Sequence, residues 1–153
     1  SFPDASAPRM LGDVVRSTDI NTVPSQYFLP EEDIVKWQLH KGSKSAMRTS
    51  KTGHSYKYSE GAMPFPDPLD RPGRTIITAE GGQSPSRFKH VVESADGRLR
   101  RLLPDELEEM NGFPRGFTAV PGVSDTKRAF FMGNALVVGL VERIGLALRK
   151  TCP

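Results

Sequence analysis

The last twenty residues constrain the chain most. From Asn134 to Arg149 the residues Leu136, Leu140, Ile144 and Leu148 recur four apart, and Val137, Val141 and Leu146 widen the apolar surface. Only Glu142, Arg143 and the terminal Arg149 and Lys150 are charged. The spacing predicts a helix over 134–149 that is apolar on most sides, and such a helix is normally buried. The remainder offers little to bury it against, because 14 Gly and 13 Pro among 153 residues point to turns and irregular loops. This mismatch predicts a docking surface on a larger partner.

The net charge is +3 at pH 7. That permits an anionic partner without demanding one, but its distribution says more. No Asp or Glu occurs from Ile34 to Ser59, while Lys36, Lys41, Lys44, Arg48, Lys51 and Lys57 are all basic. A second basic group comprises Arg87, Lys89, His90, Arg98, Arg100 and Arg101. Each reads as a solvated loop when taken alone; flanking a Gly-rich segment, the two together favour phosphate contact. The single cysteine, Cys152, makes no internal disulfide and suits a reducing compartment. No window of about 18 consecutive apolar residues is present, so no membrane partner is expected. The opening Ser1-Phe2-Pro3-Asp4 does not read as a signal peptide. It reads as a domain cut from something longer, or as a subunit. His40, His54 and His90 lack metal-ligand spacing, so no metal is expected, and Glu60 is read as structural.

Residues 1–30, broken by Pro3, Pro8, Pro24 and Pro30, are expected to be mostly extended, with a short helical turn or strand at Leu11–Val15. A first helix begins at Pro30 and ends at Gly42, with Glu31, Glu32 and Asp33 complementing its positive end. Residues 41–73 read as irregular, with short strands such as Ser55–Ser59. Arg74–Thr78 is β-branched and predicts a strand, Gly81–Ser86 a loop, Phe88–Val92 a returning strand and Leu99–Leu103 another. A second helix starts at Pro104 and stops at Gly112.

Three segments carry a family signal by their order. The first runs from Arg74-Thr75-Ile76-Ile77-Thr78 through Gly81-Gly82-Gln83-Ser84-Pro85-Ser86-Arg87-Phe88-Lys89-His90. Next come Arg100-Arg101-Leu102-Leu103-Pro104-Asp105-Glu106-Leu107 and Asn111-Gly112-Phe113-Pro114. Last is Phe131-Met132-Gly133-Asn134-Ala135-Leu136-Val137-Val138. In that order they resemble the end of the DNA (cytosine-5)-methyltransferases: the target-recognition domain, the block after it, and the terminal Gly-Asn block. Phe2-Pro3 and Leu11-Gly12-Asp13-Val14 are similar to the segment that follows the catalytic domain. The family's glycine-rich cofactor loop, Pro-Cys nucleophile, Glu-Asn-Val acid and Gln-x-Arg-x-Arg block do not occur in this sequence. Cys152 sits in Thr-Cys-Pro, the reverse order.

The resemblance implies an α+β fold: a small, irregular, loop-rich target-recognition lobe with short strands, plus a C-terminal helix that docks on a separate Rossmann-like catalytic domain. It divides the chain into a DNA-binding region with an N-terminal linker (1–103), a supporting helix and hinge (104–132) and a helix completing the partner's cofactor domain (133–153). The implied function is DNA target recognition and cofactor-site completion for methyl transfer from S-adenosylmethionine to C5 of cytosine. The catalytic cysteine would lie on a partner half. The setting would be the bacterial cytoplasm, on DNA, in a restriction-modification system. A stand-alone DNA-binding or regulatory module is the rival reading. No catalytic residue is expected here. Gly133, Asn134 and Ala135 are the expected cofactor contacts, through amides at the start of the last helix, with Asn134 as a candidate N-cap. Arg74, Thr75, Ile76, Gly81, Gly82, Gln83, Ser84, Ser86, Arg87, Lys89, His90, Lys44 and Lys51 are the expected DNA contacts. Gln83 and Arg87 are of the types that read base edges, and lysines suit phosphates.

Overall fold

The computed structural model describes residues 9–151. Phe2, Pro3, Pro8 and Cys152 lie outside the described residues. α2 (Glu31–Lys41) and α3 (Pro104–Met110) begin where proline precedes or opens the first turn and acids complement its positive end. Upstream, α1 (Leu11–Arg16) buries Leu11, Val14 and Val15, and single 3-10 turns follow at Ile20–Thr22 and Ser25–Tyr27. The segment expected to be extended is therefore largely coiled into short helical turns.

Two separate two-stranded antiparallel sheets form. β1 (Lys44–Thr49) pairs with β2 (Ser55–Glu60), and β3 (Val91–Glu93) pairs with β4 (Leu99–Arg101). β1 was not expected, and the strand expected at Arg74–Thr78 joins no ladder. The reason is tertiary. Ile76 is sunk in the core, and Arg74 donates to Asp67 and to the carbonyls of Phe88 and Lys89. Those contacts hold the segment extended without a neighbouring strand.

α4 (Asp125–Asn134) was not foreseen, although Ser124 caps it by accepting from the Lys127 amide. α5 (Val138–Thr151) starts four residues later than expected. Between them residues 135–137 are non-helical. Asn111 sets this break: its Nδ2 donates to the Met132 carbonyl, and its own carbonyl accepts from the Val138 amide.

Leu11, Val15, Ile76, Val92, Leu102, Leu107, Ala129 and Met132 form the core, with Leu69, Met110, Phe113 and Ala135 against it. α5 contributes nothing to it: Leu140, Val141, Ile144, Leu146 and Leu148 are all exposed. By length and composition alone, residues 125–150 would suit a membrane span. The stretch is, however, two helices with a break, and Glu142 and Arg143 lie within it.

Candidate functional site

The second basic group, expected on the surface, is mostly turned inward. Arg100 is fully buried, and its fork meets Glu106 through two bonds, Nη1–Oε2 at 2.8 Å and Nη2–Oε1 at 2.6 Å. Lys89 is buried, with Nζ donating to the carbonyls of Gly82 (2.9 Å) and Ser84 (2.8 Å). Burial, then the neighbouring Arg101, holds its pKa below the usual lysine value. His90 is completely buried against Glu80, whose carboxylate accepts from both its amide and its Nδ1. Arg101 donates to the Gln26 carbonyl at 2.6 Å and lies over the Tyr27 ring. Arg74 is half-buried on Asp67 at 2.8 Å. Burial pushes the Asp67 carboxyl up, but Arg74, the Val91 amide and Lys41 together hold it below the usual carboxylate range. Lys89 and His90 thus act inside this fold as struts, where a surface position was expected. The physical reason is that the carboxylates of Asp67, Glu80 and Glu106 and the loop carbonyls of Gly82 and Ser84 offer internal partners that a charge count cannot locate.

The same struts shape the Gly-rich loop. Lys89 grips its carbonyls from beneath, leaving Gln83 and Ser84 exposed and Gly81, Gly82 and Ser86 half-buried. Gly81 has its own structural reason, since a Cβ there would sit 2.9 Å from Thr126 Cα on α4. Gln83 faces a cleft of about 270 Å³ shared with Phe28, Trp37 and Arg101.

The expected Thr75-Ile76 and Gly133–Ala135 groups do come together. Thr75, Ile76, Gly133 and Ala135 line one cavity of about 310 Å³, with Arg74 and Asn111 beside them. The helical geometry differs from expectation, however. Gly133 and Asn134 close α4 instead of opening the last helix, so this turn presents helix carbonyls where a cradle of amides was expected. Asn134 is exposed and donates from Nδ2 to the Phe130 carbonyl at 2.9 Å. Gly133 is needed for contact, because a Cβ would clash with the backbone of Ile77 and Thr78. Gly133→Ala should therefore push α4 off the 77–78 segment and cost about 1–3 kcal/mol, read as a lower urea midpoint with unchanged slope.

The acid-free run forms the β1–β2 hairpin, which projects with every β1 residue exposed. Lys44 is on β1, and Lys51 is in the turn. Tyr56 and Tyr58, which the sequence reading passed over, alternate with Lys57 along β2; that interleaving of aromatic and basic residues was the available signal. Arg48 lies 3.7 Å from the Tyr58 ring centroid, and Tyr58 donates to Glu60. That bond holds the Glu60 carboxyl below its usual range. Arg87 is half-buried at the hairpin root, paired with Glu60 at 3.3 Å and donating to the carbonyls of Gly42 and Gly61. Among the described residues no cluster suited to a metal ion occurs.

Residues 13–150 match the family described as C-5 cytosine-specific DNA methylase. The chain is 40% identical over 140 residues to the Type II methyltransferase M.Sau3AI of Staphylococcus aureus, covering 92% of this chain and 32% of that protein. The fold resembles that of the Entamoeba histolytica methyltransferase EhMeth, with a TM-score of 0.58 at 17% identity over 94% of this chain and 41% of that one. The chain thus spans about a third of the length of the curated relative.

Proposed function

Because the chain belongs to the C-5 cytosine-specific DNA methylase family, we propose that it is the target-recognising part of a DNA (cytosine-5)-methyltransferase, working with a companion part that carries the Pro-Cys nucleophile. Residues 1–103 grip duplex DNA, 104–132 support them, and 133–153 dock on the Rossmann-like catalytic domain of the companion. The observation that carries this reading is α5. Leu140, Ile144 and Leu148 recur on one side, each more than half exposed, and Phe130 and Phe131 on α4 are exposed as well. Contiguous exposed apolar area of this kind marks an interaction site. The rival reading, a stand-alone DNA-binding or regulatory module, would leave it bare.

The cavity lined by Thr75, Ile76, Gly133 and Ala135 also takes in Val137, the residue before α5, which supports a reading in which the cofactor contacts lie beside the docking helix. S-adenosylmethionine supplies the methyl group when bound. These residues fit an edge of its site, not a whole one: with one Nδ2 hydrogen of Asn134 engaged on Phe130, its Oδ1 and second N–H are the parts of that amide left for a ligand. A base in a duplex must be extruded before C5 can react, so this part holds the DNA while the companion performs the chemistry. Cytoplasmic, DNA-associated action within a restriction-modification system accords with this role. The purified chain, given labelled S-adenosylmethionine and mixed-sequence duplex, should transfer nothing. Adding the companion catalytic part should restore methylation of cytosine. Transfer by the chain alone, or none by the mixture, would overturn the proposal.

A further inference from the structure

The β1–β2 hairpin is built as a tool held at arm's length. Its turn is closed by Ser50, whose amide donates to the His54 carbonyl at 2.8 Å and whose carbonyl accepts from the Gly53 amide at 3.0 Å. Gly53 takes φ +82°, a conformation that favours glycine. Its root is clasped by Arg87, which reaches Gly42 on one side and Gly61 on the other. An isolated two-stranded ribbon is marginal in water, and this one has no core behind it: Met47 is 68% exposed. The chain thus maintains an exposed, basic ribbon for which its own fold has no use.

The two faces of the ribbon differ. In an antiparallel pair, residues directly opposite each other share a face. One face carries the rungs Lys44–Glu60, Ala46–Tyr58 and Arg48–Tyr56. It is internally committed, with Arg48 on Tyr58, Tyr58 on Glu60 and Glu60 on Arg87. The other face carries Ser45–Ser59, Met47–Lys57 and Thr49–Ser55. It presents small hydroxyls around one thioether and one ammonium, and it has no acid.

We infer that the face formed by Ser45, Met47, Thr49, Ser55, Lys57 and Ser59 enters the major groove of duplex DNA and reads base edges there. The inference rests on the DNA-recognition reading above and moves specificity from the Gly81–Arg87 loop to the ribbon. Two strands about 4.8 Å apart fit a groove about 12 Å wide, which admits a β-ribbon. Hydroxyls both donate and accept, and their small size lets the ribbon backbone approach closely. Lys57 suits the N7 and O6 acceptors of guanine, and Met47 the methyl group of thymine. Arg87 acts as a positioning residue, fixing the angle at which the ribbon leaves the fold.

The test selects duplexes from a randomised pool with the full chain and three variants, and reads the enriched sequences. Lys57→Val keeps a strand-forming side chain and removes the ammonium; Lys51→Ala removes one charge at the ribbon tip; Gln83→Ala removes the exposed amide of the Gly-rich loop. The wild-type chain should enrich a short sequence. Lys57→Val should lose the preference at one G·C pair by about ten-fold or more, and 7-deazaguanine at that pair should weaken wild type but not the variant. Lys51→Ala should weaken all duplexes alike, and Gln83→Ala should keep the wild-type sequence. Wild-type selection with an unchanged Lys57→Val preference, or binding without any preference, overturns the ribbon assignment and leaves the DNA-binding reading standing. No binding to any duplex overturns both.

Discussion

Glu106→Ala should destabilise the chain by about 3–5 kcal/mol, the range for leaving one partner of a buried ion pair uncompensated. Glu106 is completely buried and accepts four hydrogen bonds. Oε1 takes Thr18 Oγ1 at 2.8 Å and Arg100 Nη2 at 2.6 Å. Oε2 takes Arg100 Nη1 and the Leu103 amide, each at 2.8 Å. One carboxylate therefore ties the start of α3 to β4 and to the loop after α1. Removing it strands a guanidinium that is 1% exposed and reopens the α3 amide that an acid three residues into a helix serves. Against a typical stability of about 5–15 kcal/mol, such a loss leaves a domain of this size close to its threshold. Urea unfolding followed by circular dichroism measures it. Arg100→Met with Glu106→Leu together should recover most of the loss, since apolar residues of similar volume replace a buried pair at little cost. A single Glu106→Ala within 1 kcal/mol of wild type would mean that the pair lies open to water.

The parts of this fold that were legible are those set by local chemistry. Pro30 with three acids after it, and Pro104 with Asp105 and Glu106, each mark a helix start that needs no distant partner. What escaped was set at long range. The break between α4 and α5 depends on Asn111, which serves the carbonyl of Met132 and accepts the amide of Val138 from more than twenty residues away. In the sequence the apolar run simply continues, so Asn134 read as a beginning when it is an end. The β-branched Arg74–Thr78 segment had strand character but found Gly133 and the core where a strand partner was needed. Several basic residues point inward for a related reason. A lysine or arginine looks the same in the sequence whether its partner is a phosphate or a carboxylate folded against it. Lys41 on Asp67 and Arg128 on Glu108 belong to the second class, and Lys89 is claimed in a third way, by loop carbonyls. The β1–β2 hairpin is different: its one acid, Glu60, sits at the root on one face, and the run from Lys44 to Ser59 that the sequence patterning picked out stays mostly exposed.

Leu140→Asp combined with Ile144→Asp should abolish assembly with the companion catalytic part while leaving this chain as stable as before. Both side chains are more than half exposed, and surface changes away from special features stay within about ±0.5 kcal/mol. They stand one turn apart on α5, on the side that also carries Leu148. The first turn of α5 is held to the rest of the fold by the Val138 amide on Asn111 and by Val138 beside Gly112. The substitutions lie beyond that anchored turn, at positions outside the core. If the helix docks, each aspartate carries an unpaired charge into an apolar interface, at a cost of about 3 kcal/mol or more. Two such costs lower affinity by about four orders of magnitude, since 1.4 kcal/mol is a factor of ten. Co-purification with a tagged companion reads the assembly, and thermal melting of the free chain reads its fold. Loss of co-purification with an unchanged melting curve is the expected pair of results, and it separates docking from misfolding. Retention at normal yield would show that the apolar surface of α5 is not the interface, and the companion would then be sought on the exposed Phe130 and Phe131 of α4.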